Sequence, residues 1–316
     1  MPLSNQQLKA YDADVLRLPA DKRKEYNGQV DRLITNLTSH LKATTAIQIV
    51  RVIKAGSFAK HTILRKTTDD PIDVDVVFYV SGDNLTRDTL KGINDKIHEA
   101  LIASYPTKPV EDFEIQRQAA TVNFVGSGLS VDIVPVIADP DHAGYGWQYD
   151  LEDGTKTLTC APCAIKFVRD RKDQDPDFRT LVRLAKRWRR HAELKHLKGF
   201  AIELILAHVL ALYGKDGTIE ARFRAFLLYI AQSRLKEVIV FPENARPIPV
   251  FTDPVVILDP VCSTNNVASR LSETEREEIV QVAQTAWETA VFASTEDQPE
   301  LWKEIFGARF KVKELA

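Results

Sequence analysis

Three aspartates stand out as groups able to do chemistry. Asp73 and Asp75 lie two apart in the run Ile72-Asp73-Val74-Asp75-Val76-Val77-Phe78-Tyr79-Val80. Asp132 is a lone acid in Leu129-Ser130-Val131-Asp132-Ile133-Val134-Pro135-Val136. Positions i and i+2 of a strand share a face, so Asp73 and Asp75 sit side by side while Val74 and Val76 point to the core. Two like charges on an apolar strand are costly without a counter-ion. A divalent cation supplies one. Mg²⁺, with Mn²⁺ as a substitute, favours hard oxygen ligands and fills its remaining positions with phosphate oxygens and water. If the second strand neighbours the first, Asp132 completes a three-carboxylate set. Such a set suits two metals roughly 3.5–4 Å apart and in-line displacement at phosphorus. Asp73, Asp75 and Asp132 are therefore expected to be both the metal ligands and the catalytic residues of such a displacement, with no histidine base required.

The phosphates need a cradle. Gly56-Ser57 follows the β-branched run Ile47-Gln48-Ile49-Val50-Arg51-Val52-Ile53 and precedes a short helical stretch. Glycine there lets the backbone approach a phosphate, serine adds a hydroxyl, and a helix start adds N–H donors. Each piece alone is weak: an isolated Asp-x-Asp usually marks a solvated edge strand, and Gly-Ser is common. The order Gly-Ser, Asp-x-Asp, then a third strand Asp, all with apolar flanks, carries the reading.

The elements that must hold these residues follow from periodicity. Val30, Leu33, Ile34, Leu37 and Leu41 have helical spacing, after a first twenty residues that read as a loose arm. Strands are expected over 47–53 and 72–80, with a polar loop (66–71) before the second and a turn (81–84) after it, then a helix over 86–104. Residues 114–125 and 130–137 read as two strands joined at Gly126-Ser127-Gly128, a hairpin signal. Residues 138–160 read as loop. Beyond them the pattern is helical: 163–172, 177–195, 199–213, 218–235 and 272–292, with an irregular proline-marked connection over 242–260 and a last helix from Leu301. The expected fold class is α+β, divided into a mixed α/β region over 1–160 and a helical domain over 161–316.

Composition sets outer limits. Of 316 residues, 44% are hydrophobic and 27% charged, as in ordinary globular proteins. No apolar run nears the roughly 18–20 residues needed to cross a bilayer, so no membrane partner is expected. The opening MPLSNQQLKAYDADVL lacks a secretory pattern, and the location is read as cytoplasmic. The net charge of −2 disfavours long nucleic acid as the main partner. Local charge differs: from Lys166 to Lys198 there are twelve Lys or Arg against five Asp or Glu, fit either to line a triphosphate site or to form a solvated face. Cys160, Cys163 and Cys262 are too few for a disulfide framework. The Cys160-x-x-Cys163 pair is read as unliganded thiols rather than as a zinc site with Cys262 and His142.

Gly56-Ser57, Asp73-Val74-Asp75 and Asp132 together resemble the signature of the DNA polymerase beta-like nucleotidyltransferases. Leu184-Ala185-Lys186-Arg187-Trp188, Lys198-Gly199-Phe200-Ala201-Ile202-Glu203-Leu204-Ile205 and Ile257-Leu258-Asp259-Pro260 resemble the oligoadenylate synthetase branch. Over about residues 25–310 the chain is similar to bacterial CD-NTases, the cGAS/DncV-like enzymes of CBASS anti-phage systems. The segment around Asp132 resembles clades that make cyclic trinucleotides.

The resemblance implies a two-lobed nucleotidyltransferase fold: a mixed β-sheet core, an N-terminal bridging helix and a C-terminal helical lobe. It implies nucleoside triphosphates as substrates, ATP first, with Lys186 reaching the terminal phosphates and Phe200 stacking near the base. It implies a cyclic oligonucleotide second messenger, with cyclic triadenylate favoured, acting on a downstream effector, and a HORMA-domain activator as partner. Helical spacing from Leu204 equally suits Phe200 to a core, and Lys186 lies in a cluster with Arg183, Arg187, Arg189 and Arg190. The family's Ser or Thr before the aromatic is Gly199 here. A linear oligoadenylate, RNA-tailing or protein AMP-transferring enzyme, and a non-catalytic nucleotide-binding module, are the alternatives.

Overall fold

The computed structural model describes residues 2–65, 71–81 and 87–311. Most of the polar loop before the second strand, the turn residues 82–84 and the tail from 312 lie outside the described residues. By compactness the chain divides into two units, one of residues 18–166 and one joining the first 17 residues to 167–316.

After α1 (Asn5–Tyr11), which belongs to the other unit, the first unit contains α2 (Ala20–Thr44), β1 (Gln48–Lys54), α3 (Gly56–Ala59), β2 (Ile72–Ser81), α4 (Arg87–Ser104), β3 (Phe113–Ile115), β4 (Ala120–Phe124), β5 (Leu129–Ala138), β6 (Gly146–Tyr149) and β7 (Lys156–Thr159). Its sheet runs β1-β2-β5-β4-β3, with β6 paired to the end of β5 and β7 paired to β6. Among the described strands of this sheet only β2 and β5 pair in parallel; the other pairings are antiparallel. β2 is covered on both faces along much of its length, which accounts for its nearly unbroken β-branched and aromatic sequence. Val74, Val76, Val131 and Ile133 are fully buried in a core shared with Val30, Leu33, Leu37 and Leu41 of α2 and with Leu90, Ile97 and Leu101 of α4. The opposite face carries a smaller cluster of Ala55, Val77, Tyr79, Val136 and Ala161.

The second unit begins with α1 (Asn5–Tyr11) and one π turn (Asp12–Leu16). It continues through the end of α5 (Ala161–Gln174), then α6 (Phe178–His191), α7 (Gly199–Tyr213), α8 (Ile219–Ser233), the ribbon of β8 (Leu258–Asp259) and β9 (Cys262–Asn266), α9 (Glu273–Thr295) and α10 (Trp302–Phe306). Trp188 packs edge-on to Phe226 with ring centroids 5.9 Å apart, and Tyr11, Phe223, Trp302, Phe306 and Phe310 form a linked aromatic core. The fold is thus α+β, a mixed sheet region with a helical lobe.

Four expectations need correction. The first residues are not a loose arm: Ser4 and Gln7 form a capping box that starts α1, and Leu3, Leu8, Tyr11 and Leu16 are buried. Asp12, wholly buried, receives hydrogen bonds from Arg183, Arg17 and Thr180. The expected strand over 114–125 is a hairpin of two strands, because the chain reverses where Gln116 N–H donates to Ala119 O. The stretch 138–160 contains β6 and β7, too short to show periodicity. Cys160 and Cys163 are joined by a disulfide, leaving Cys262 as a buried thiol. Among the described residues no helix is long and apolar enough to cross a membrane.

Candidate active site

The parallel register of β2 and β5 sets Asp75 directly opposite Asp132, and Asp73 opposite Ser130. All of these lie on the face away from the α2/α4 core, because their neighbours Val74, Val76, Val131 and Ile133 fill that core. The crossover from β2 to β5 therefore brings together acids separated by more than fifty residues of sequence. Asp73 is exposed, and Asp75 and Asp132 are half-buried.

Strand β1 delivers the glycine. Its last residues pair with Val76 and Val77, and Ala55 N–H then donates to Asp75 O at 2.7 Å. Gly56 consequently lies against the Asp75 carboxyl group, in the left-handed region at φ 59°. A Cβ at position 56 would fall 1.6 Å from Asp75 Oδ2. Only glycine allows both the turn and this approach. The single turn of α3 is pinned from below: Phe58 is buried, Arg23 donates to Phe58 O at 2.7 Å and stacks over its ring, and Ser57 O accepts from Thr62 and Ile63 N–H. Ser57 is partly exposed on this fixed turn.

Sequence reasoning missed the next neighbour. β4 places Thr121 opposite Asp132, and the threonine hydroxyl donates to Asp132 Oδ1 at 2.6 Å. β3 in turn sets Glu114 opposite Thr121. Asp75, Asp132, Thr121 and Glu114 form one polar row across four strands. Burial pushes the Asp132 carboxyl pKa up; the Thr121 hydrogen bond pulls it down and the Glu114 charge pushes it up again. The signal for Thr121 was a hydroxyl between Ala120 and Val122 on the strand that the expected 126–128 hairpin pairs with Asp132, but the contact depends on the register of that hairpin, which the sequence pattern did not set.

The donor set fits a hard divalent cation: carboxylates side by side on a half-buried face, with a glycine cradle against one of them. The acids are aligned rather than gathered onto one point. Among the described residues no group of three His, Cys, Asp or Glu side chains forms a ready-made ligand cage.

Lys186 and Phe200 lie in the helical unit. Lys186 on α6 is 9% exposed, and its Nζ is 2.6 Å from Oε1 of the fully buried Glu203 on α7. A Cβ at Gly199 would sit 3.2 Å from Lys186 Cε. The missing Ser or Thr side chain thus leaves room for the lysine at the first turn of α7. Phe200 is half-buried, while Leu204 is fully buried. Part of the basic run is engaged within the unit rather than free on a solvated face: Arg183 is buried on Asp12, Arg187 donates to Phe306 O, and Arg189 donates to Leu194 O and Lys195 O.

Residues 1–162 match the Second Messenger Oligonucleotide or Dinucleotide Synthetase (SMODS) domain. The chain is 65% identical over 316 residues to the CBASS oligonucleotide cyclase CdnC of Escherichia coli strain KTE188, covering 100% of both chains. It is 33% identical over 311 residues to the cyclic AMP-AMP-AMP synthase of E. coli strain MS 115-1, covering 94% of this chain and 95% of that one. The solved E. coli MS115-1 CdnC with ATP superposes with a TM-score of 0.84 at 31% identity, covering 98% and 99% of the two chains. The same protein in complex with HORMA gives a TM-score of 0.83 at 31% identity, covering 98% of each chain.

Proposed function

This chain belongs to the SMODS family, among the CD-NTases of CBASS, and from that premise we propose that Asp73, Asp75 and Asp132 join ATP molecules into cyclic triadenylate. The protein is a nucleotidyltransferase that makes a cyclic oligonucleotide in anti-phage defence. The role of the three aspartates is supported above all by the register that sets Asp75 opposite Asp132 beside Gly56.

In this reading Asp73, Asp75 and Asp132 hold Mg²⁺ or Mn²⁺. When bound, the metal ions supply Lewis-acid activation of the attacking hydroxyl and charge neutralisation at the leaving pyrophosphate. The chain's own residues do the positioning. The fixed α3 turn presents the Ser57 hydroxyl, and Gly56 lets the phosphates approach the backbone beside Asp75. Lys186, oriented by Glu203, contacts the terminal phosphates, and Phe200 offers a half-exposed ring for stacking on a base. The relative called a cyclic AMP-AMP-AMP synthase supports ATP as substrate and triadenylate as product. The solved HORMA complex of CdnC supports a HORMA-domain activator, and the product then acts on a separate effector.

The test is incubation of the protein with all four NTPs and Mg²⁺ or Mn²⁺, with and without the HORMA-domain protein, followed by phosphatase and mass spectrometry. A phosphatase-resistant triadenylate from the wild type, absent with Asp73→Asn/Asp75→Asn, is expected. Linear phosphatase-sensitive products, or extension of added RNA, would replace cyclisation by the tailing reading.

A further inference from the structure

We propose that Thr121 is a positioning residue that fixes the carboxyl plane of Asp132 for metal binding and catalysis. The inference rests on the proposed role of Asp132 and extends it to a residue outside the aspartate signature.

Four observations support it. Thr121 is 2% exposed, so its hydroxyl is almost cut off from water. Its Oγ1 is 2.6 Å from Asp132 Oδ1, the short range of a hydrogen bond to a carboxylate. The two residues are register partners in the β4–β5 ladder, so the backbone holds both Cα positions. A β-branched side chain in a strand has little freedom at its first torsion. A carboxyl group, by contrast, turns broadly about its last torsion. Pinning Oδ1 to a stiff partner fixes the plane, and with it the direction of Oδ2.

The other two acids are placed differently. Asp75 is backed by Gly56, whose missing side chain leaves the space its carboxyl group fills. Asp73 is exposed near the start of β2. Asp132 is the acid on the strand next to the hairpin, and the hairpin supplies its orienting hydroxyl. The same hairpin keeps Glu114 in the row, held by Asn123 Nδ2 donating to Glu114 Oε1 at 2.9 Å. An uncontrolled Asp132 would face two carboxylates, Asp75 on one side and Glu114 beyond Thr121 on the other.

The experiment compares Thr121→Val with Thr121→Ser. Valine keeps the shape and strand preference and removes the hydroxyl; serine keeps the hydroxyl. Steady-state product formation gives kcat and KM for ATP, and Mn²⁺ binding is followed by electron paramagnetic resonance in the absence of nucleotide. The valine variant is expected to lose roughly 10–100-fold in kcat and in Mn²⁺ affinity, the usual effect of removing a group that orients a ligand. KM for ATP should stay near the wild-type value, and serine should restore both losses. Melting temperatures close to wild type show that the strand still forms. Wild-type kcat and Mn²⁺ affinity in Thr121→Val would overturn the proposal, as would failure of a folded Thr121→Ser to recover either. If the wild type made no nucleotide product with its partner present, the functional reading would fall, while the Mn²⁺ comparison would still decide whether Thr121 orients Asp132.

Discussion

Lys186 and Glu203 form a buried ion pair, Nζ to Oε1 at 2.6 Å, between α6 and α7. Removing one partner of such a pair strands a charge in the interior and costs about 3–5 kcal/mol, whereas replacing both by apolar groups is often neutral. Glu203→Leu should therefore lower the melting temperature sharply, and Lys186→Met/Glu203→Leu should recover most of it. The double variant should still lose activity if Lys186 contacts triphosphate. Thermal melts and product assays on the same samples separate the two roles.

Gly56→Ala should damage the site more than the fold. The new Cβ meets Asp75 Oδ2, and alanine must hold a positive φ. The strain is worth about 1–3 kcal/mol. Displacing the carboxyl group by about an ångström lowers kcat on the order of 100-fold. A variant with wild-type turnover would show that the turn relaxes without moving Asp75.

The docking of the N-terminal segment should depend on acid pH. Burial on its own raises the Asp12 pKa, but hydrogen bonds and charge from Arg183 and Arg17 outweigh it and hold the value below normal. A depressed carboxyl pKa contributes stability that is complete above the unfolded value, about 3.9 for Asp. That contribution is lost as pH falls through the lower folded value. The stability gap between wild type and Asp12→Asn should be widest near neutrality and shrink below about pH 4. Tryptophan fluorescence melts report it, since Trp188 and Trp302 are buried in the same unit. A gap that did not change with pH would refute the assignment.

Reducing the Cys160–Cys163 disulfide should have a modest effect on stability. It closes a very short loop, sequence separation 3, and the chain-entropy model assigns such a loop about 2 kcal/mol. Cys160→Ala/Cys163→Ala should melt a few degrees lower and keep wild-type kcat, because neither cysteine lies on the aspartate-bearing strands β2 and β5. Loss of turnover in the folded variant would contradict this.

The aspartate strands were legible because their chemistry violates their pattern. An acid recurring every second residue among valines is readable without coordinates, as is a lone acid in a β-branched run. The β2–β5 crossover preserved that pattern, so the face and the partnership of Asp75 with Asp132 followed. What was not legible depended on exact register or on pairing at a distance. Thr121 acquires meaning only opposite Asp132, and the reversal at 116–119 has no glycine to announce it. Strands β6 and β7, four residues each, are too short for alternation to rise above loop composition. The Asp12 segment looked loose because its contacts lie with Thr180 and Arg183, far along the chain. The basic run was visible as charge, but its engagement with internal carbonyls and with Asp12 and Glu203 was not.

That engagement has a consequence for the order in which the molecule can be completed. A ribosome makes Asp12 first and Arg183 some 170 residues later. The opening segment must wait through synthesis of the entire sheet unit before its partner exists. A fragment starting at residue 167 would carry Arg183 into a helical unit lacking its buried carboxylate. The helical half thus draws on both sides of the sheet unit: the segment that carries Asp12 is made before that unit and its partner Arg183 after it.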